Sequence, residues 1–329
     1  MEGLMRLVTY AVNGRPTPGV VVGDHVIPLT AAGDASGRPA HRTLADLIED
    51  WPDAEGLVHA AVASGAAAER LTALDDAQRW LPPVRPGKIL GVGLNNDAME
   101  RKASRIAEHP IVFCYPTSAM TGHLQPIEIR PCYGLTHPEP ELGVVIGRRV
   151  KRVSSDEAME AVFGYTIVDD VTSVDLKTDD TVVFPESFAQ DIGGAPAIAG
   201  GRPRGFELGD MTLTYHARSK GTDTFAPCGP WIVPRDDVPD PHDLQVNLTI
   251  DGELCSQDHT GNLVYRVPQI IAYVSRWFTL EPGDIVHIGT SARGKYRLRD
   301  IDLQERSGMR TIEISGVGAR SNPITHLAD

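Results

Sequence analysis

His137-Pro138-Glu139-Pro140-Glu141-Leu142-Gly143-Val144-Val145-Ile146-Gly147 is the stretch whose reading decides the fold. Its aliphatic run reads as a β-strand, in which successive side chains point to opposite faces. Glu139 and Glu141, two apart, therefore share one side while Pro140 faces away. A second strand-like run, Gly164-Tyr165-Thr166-Ile167-Val168-Asp169-Asp170-Val171, ends in two acids. Laid beside the first, it brings a third carboxylate to the pair. Hard oxygen donors of this kind suit Mg²⁺, Mn²⁺ or Ca²⁺, and not zinc. An E-x-E pair standing alone equally describes the solvated face of a strand, so the rest of the chain has to decide.

Three further segments supply that context, in order along the chain. They are Pro86-Gly87-Lys88-Ile89-Leu90-Gly91-Val92-Gly93-Leu94-Asn95, then Thr222-Asp223-Thr224-Phe225-Ala226-Pro227-Cys228-Gly229-Pro230-Trp231, then Glu281-Pro282-Gly283-Asp284-Ile285-Val286-His287-Ile288-Gly289-Thr290. With the acidic strand and the G-Y-T run, the set resembles the core signature of the fumarylacetoacetate hydrolase superfamily. Collinear motifs are far more specific than any one of them. The resemblance implies an α+β, mainly β fold, with a mixed rolled β-sheet catalytic domain and a small N-terminal α/β domain. It also implies a divalent cation, Mg²⁺ or Mn²⁺ with Ca²⁺ as a further candidate, held by Glu139, Glu141 and Asp170. The expected substrate is a 2-oxo or β-dicarbonyl acid reacting through a cation-stabilised enolate, and the expected assembly is a homodimer. A cation suits this chemistry because it neutralises charge that develops on oxygen.

Further roles follow residue by residue from the resemblance. Lys220, in Ser219-Lys220-Gly221, matches the active-site lysine that holds a carboxylate or polarises a carbonyl. Thr290 matches a threonine that binds the substrate carboxylate, and His123 matches a position of substrate contact. Departures from the pattern bear on the reaction. Relatives that hydrolyse C–C bonds carry a histidine and, three residues on, a glutamate that activate water; here those positions are Met99 and Lys102. A thioether has no titratable proton, and an ordinary lysine is protonated at neutral pH. Glu100, Glu108 and His109 lie in the same segment as candidate replacements, Glu100 and His109 foremost. An arginine and a glutamine of the family are here Val174 and Lys177, so a bidentate carboxylate clamp gives way to a point charge. Tyr115 stands where many relatives have lysine. Ser291 follows Thr290 where the usual form has proline, and Arg293 is placed to supply the charge that Val174 lacks. Three readings stand: a C–C bond hydrolase, a lyase or isomerase that needs no hydrolytic water, and a degenerate non-enzymatic member.

Composition agrees with a cytoplasmic enzyme. The 329 residues, 41% hydrophobic, provide for a substantial core. Lys+Arg 31 against Asp+Glu 44 gives a net charge of −13, which disfavours a nucleic-acid partner. No apolar run is long enough for a membrane helix. The cysteines, Cys114, Cys132, Cys228 and Cys255, lack C-x-x-C spacing. Gly91-Val92-Gly93 lacks the third glycine of a dinucleotide fingerprint.

Two parts are expected, residues 1–82 and 83–329, divided at the proline-rich Leu81-Pro82-Pro83-Val84-Arg85-Pro86. Met5 to Leu29 reads as short antiparallel strands around the turns Asn13-Gly14 and Gly23-Asp24. Arg42 to Trp51 and Leu57 to Leu74 read as helices. Ser154-Ser155-Asp156-Glu157 is a capping box opening a short helix to Phe163. Pro268 suits a first helical turn, with Ile270, Ile271, Val274 and Phe278 as the apolar stripe. The connection 178–219 either caps the pocket, extends a dimer contact or is a passive loop.

Overall fold

The computed structural model describes residues 4–29, 41–64, 69–70, 80–97, 107–184, 211–290 and 300–329. Two mixed β-sheets dominate it, the larger of eleven strands and the smaller of five. The N-terminal strands Arg6–Val12, Arg15–Val22 and His25–Pro28 form the antiparallel run expected from the turn residues. Asn13 and Gly14 take φ of 51° and 73°, the left-handed geometry of a tight hairpin turn that Asn-Gly favours. Thr43 and Asp46 cap the helix Leu44–Glu49 reciprocally.

Two helix expectations are corrected. The helix within Leu57 to Leu74 is Glu55–Ser64, and Glu69–Arg70 instead pairs with His25 and Val26, because a sheet edge offers those backbone groups partners. The helix capped by Ser154 and Glu157 runs only Ser155–Ala158, followed by a 3₁₀ turn to Ala161. Phe163 lies in the strand Val162–Asp169, where pairing with Pro140–Ile146 overrides local propensity. The helix Val267–Trp277 buries Ile270, Ile271 and Val274 as expected, with Pro268 in its first turn. Phe278 follows it as the C-cap.

The large sheet continues from the N-terminal strands through a single register pair, Leu7 with Ile232, into Ala226–Pro234, then Val162–Asp169, Pro140–Ile146, Ile285–His287, Ile89–Gly93 and Ile111–Tyr115. One buried cluster mixes Leu7, Val20 and Leu44 with Ile89, Val145 and Ile285. A division at 82/83 is therefore a proposal about folding units and not a gap in the packing. Leu142, Val144, Ile167 and Val286, on the opposite face, pack with Leu248 and Ile312 of the five-stranded sheet and with the helix Val267–Trp277. At about 25 cal/mol per Å² of apolar surface, this two-sided burial is the main stabilising term for the central strands.

Candidate metal centre

Strand register assembles the site on one face of the large sheet. Glu141 pairs with Val168 and Gly143 with Thr166, so Asp170, two beyond Val168, emerges beside Glu141. On the other side Gly143 pairs with His287, His287 with Gly91, and Gly91 with Phe113. Alternation then adds Tyr115 to the same face. Glu139 precedes the strand, and its carbonyl accepts the Asp170 N–H at 2.9 Å. One ligand atom from each of Glu141, Asp170 and His287 lies within 4.8 Å of the others.

Lys220 comes from the short helix Ala217–Gly221, so a remote segment delivers the site's cation. Its Nζ donates to Asp170 Oδ2 at 2.5 Å, Thr172 Oγ1 at 2.7 Å and Glu139 Oε2 at 3.2 Å. It also lies 5.0 Å from the Phe113 ring centroid. The Tyr115 hydroxyl donates to Asp170 Oδ1. Glu141 Oε2 accepts the Gly289 N–H at 2.7 Å and sits 2.6 Å from His287 Nδ1.

Three carboxylates thus face one ammonium in a buried setting. Burial pushes the Glu139 carboxyl up to about 8, only partly offset by Lys220. Burial also raises Glu141, against the pull of His287. Burial works on Asp170 in the same direction, yet the charges of Lys220 and His287 and the bonds from Lys220 and Tyr115 hold it below its ordinary value. Lys220 is desolvated, but Asp170 and Glu139 outweigh that and tighten its proton. Tyr115 is pushed well up by burial and by Asp170. His287 is raised because Glu141 overcomes its burial. Three carboxylates against the single ammonium of Lys220 form an oxygen donor set that fits a divalent cation.

The structure brings Glu139, Glu141, Asp170, Lys220 and Tyr115 together. Thr290 is buried one residue beyond Gly289 and donates to Asp258 Oδ2 at 3.1 Å. Lys177 lies on the helix Val174–Asp179 and, with Lys220, depresses His216, whose burial is the larger cause. Two expectations go elsewhere. His123 packs edge-on against Trp80 at 4.8 Å and accepts the Ser321 N–H, a core position that the aromatic and backbone partners define. His109 stacks on Tyr273, with ring centroids 5.3 Å apart, because that ring offers it an exposed platform. No hydrogen bond or ion pair among the described residues joins either to the carboxylates. Glu108 is exposed, and Glu100, Arg293, Met99 and Lys102 lie outside the described residues. A concavity of about 860 Å³ lined by Met5, Trp51, Phe163 and Arg235 among others includes none of the clustered residues, so it is no part of this centre.

Sequence reasoning missed His287 and Thr172. The signal for His287 was present: a histidine in Asp284-Ile285-Val286-His287-Ile288, among apolar residues of a buried strand.

Residues 88–325 match the sequence pattern of the fumarylacetoacetate hydrolase C-terminal domain. A provisionally named hydrolase of Burkholderia cenocepacia is 31% identical over 333 residues, covering 98% of this chain and 99% of its own. Maleylpyruvate hydrolase from Sphingobium sp. SYK-6, in complex with manganese(II) and pyruvate, superposes with a TM-score of 0.70 at 26% identity, over 98% of this chain and 99% of that one. The 2-hydroxyhepta-2,4-diene-1,7-dioate isomerase from Mycobacterium marinum shares the fold, with a TM-score of 0.65 at 24% identity over 98% of each chain. No helix among the described residues is long and apolar enough to cross a membrane. With a domain pattern spanning most of its length and a relative alike from end to end, the chain belongs to the fumarylacetoacetate hydrolase family.

Proposed function

We propose that the protein is a divalent-cation-dependent enzyme acting on a 2-oxo or β-dicarbonyl acid through its enolate, with C–C bond hydrolysis as the reaction. The observation that carries this reading is the cluster of Glu139 with the buried Glu141 and Asp170, and Lys220 bonded to Glu139 and Asp170. Glu139, Glu141 and Asp170 would hold the cation, Mg²⁺ or Mn²⁺. When bound, it supplies positive charge to the enolised oxygens of the substrate. Pyruvate, found in the similar Sphingobium hydrolase, is a 2-oxo acid of the proposed class.

Lys220 and Tyr115 keep their protons at neutral pH. Each therefore serves as a hydrogen-bond donor or a positive pole and not as a general base. Lys220, whose ammonium is held by Asp170, Thr172 and Glu139, is the proposed positive pole for a substrate carboxylate or carbonyl. Tyr115 steadies Asp170. Thr290 and Lys177 are the proposed substrate contacts, Arg293 the proposed further charge, and Glu100 the proposed water-activating base. The resemblance also supports a homodimer.

A second reading is favoured by Met99 and Lys102, which stand where hydrolytic relatives carry their water-activating pair. A lyase or isomerase needs no such pair. NMR-monitored turnover of oxaloacetate, acetylpyruvate, fumarylpyruvate and a 2-keto-3-deoxy sugar acid, with Mg²⁺ or Mn²⁺ and again with chelator, separates the two. Chelator-sensitive release of pyruvate plus a second acid from a diketo acid supports hydrolysis. CO₂ release alone, or an intact carbon skeleton, supports the second reading. Cation binding without turnover of any substrate counts against both.

A further inference from the structure

One oxygen of Glu141 is held by the protein. Oε2 accepts the Gly289 N–H at 2.7 Å and lies 2.6 Å from His287 Nδ1, so Oε1 is the oxygen that Glu141 can turn to a cation. What aims the Gly289 N–H lies at the other end of its own peptide unit. In a trans peptide the carbonyl and the N–H point in opposite directions within one rigid plane. The carbonyl of that unit belongs to Ile288, and it accepts from Asn95 Nδ2 at 2.8 Å. Asn95, the Ile288–Gly289 peptide and Glu141 are therefore connected in series.

Asn95 has the rigidity this needs. It is 1% exposed, its Oδ1 accepts the Tyr265 N–H at 2.7 Å, and its Nδ2 also donates to the Tyr265 carbonyl at 3.1 Å. A backbone N–H only donates and a carbonyl only accepts, so these partners admit a single orientation of the carboxamide. Gly289 lies beyond the strand Ile285–His287 with φ of 96°, so strand pairing does not set its direction. A Cβ there would lie 3.0 Å from Asn95 Cβ and 3.2 Å from the Val92 carbonyl oxygen, and glycine is what lets the two segments approach.

We propose that Asn95 is a positioning residue for Glu141: through the Ile288–Gly289 peptide it aims the N–H that fixes Oε2, and so sets the direction in which Oε1 meets the cation. The inference rests on the cation reading above. Groups that orient metal-binding side chains change affinity by roughly 10–100-fold. Asn96 supplies the contrast. Its Nδ2 donates to the Thr290 carbonyl at 3.0 Å, in the same loop but beyond the peptide that reaches Glu141.

Mn²⁺ titration of the full-length protein, followed by electron paramagnetic resonance and paired with urea midpoints, tests this without turnover. Asn95→Ala is expected to bind Mn²⁺ about tenfold or more weakly and to change the line shape of the bound ion. Asn96→Ala should keep the native affinity and line shape even where it lowers the midpoint. Asn95→Leu fills a similar volume without a donor and carries the test if the alanine variant does not fold. Native affinity in a folded Asn95 variant, or an equal loss in Asn96→Ala, overturns the inference and leaves the cation reading standing. Failure of both Asn95 variants to fold makes the residue a folding element and overturns it as well. A folded native protein that binds no Mn²⁺ overturns both the inference and the cation reading.

Discussion

Asp169 and Asp170 are neighbours in the chain and occupy opposite electrostatic worlds. Asp170 shares its face with Glu139 and Glu141 and is held by Lys220 and Tyr115. Asp169 pairs in register with Pro140, so it faces the second sheet. There it meets Arg310 and Arg320, both fully buried, from the strands Gly308–Ile314 and Gly318–His326. Burial lowers both guanidiniums, Arg320 to about 10. One face therefore gathers excess negative charge and the other excess positive charge, separated by a single strand. Buried charge needs opposite charge nearby. On the Asp169 face protein supplies it and ties two sheets together; on the Asp170 face Lys220 supplies only part, leaving the cluster suited to a cation.

The comparison can be broken most directly at Glu141. Glu141→Ala is expected to abolish divalent-cation binding and turnover while the fold stays largely intact, because Leu142, Val144 and Ile146 still pack the strand. Calorimetric titration with Mn²⁺ and far-UV circular dichroism check the two halves; loss of folding would make the cation structural. Asp169→Ala should do the opposite. Leaving two buried guanidiniums without their carboxylate costs about 3–5 kcal/mol, read as a lower urea midpoint. Asp170→Asn, by contrast, should weaken cation binding and lower the urea midpoint less than Asp169→Ala does, because Glu139 still accepts from Lys220.

His123, beside Arg320, sharpens the picture of the cationic side. Its burial, with a smaller contribution from Arg320, lowers its pKa from 6.5 to about 4. The unfolded chain then takes up the proton first. Stability is full above pH 6.5 and falls as the pH drops through 4, by an amount on the order of 3 kcal/mol. Urea midpoints of the native protein and of His123→Gln between pH 4 and 7 check this: the variant should lose the His123 part of the slope. Tyr115→Phe is the smallest change. Losing one hydrogen bond to Asp170 should cost about 1 kcal/mol in stability, with cation binding retained.

Much of this was legible in the order of residues. The hairpin turns follow from Asn13-Gly14 and Gly23-Asp24, the Ser154 cap from its spacing to Glu157, and the acidic face from Glu139 and Glu141 two apart. Lys220 was legible through its motif, and the structure sets it against Asp170 and Glu139. A buried histidine at 287 was legible from its apolar strand, but its partner was not, because Glu141 lies 146 positions away and only strand packing brings the two together. The helix within Leu57 to Leu74 was overread for a related reason, since the edge of a sheet captured Glu69 and Arg70. His123 looked like a substrate contact until Trp80 and Ser321 were seen around it.

The sequence by itself determined the family, the two acidic strands and the lysine, since periodicity and motif order are properties of neighbouring residues. Tertiary structure alone decided which histidine stands beside the carboxylates, and that Arg310 and Arg320 answer the charge of Asp169. The physical reason is that alternation assigns a side chain only to one of two faces. What waits on each face is fixed by strand register and by a second sheet, and both are set by contacts between residues far apart in the chain.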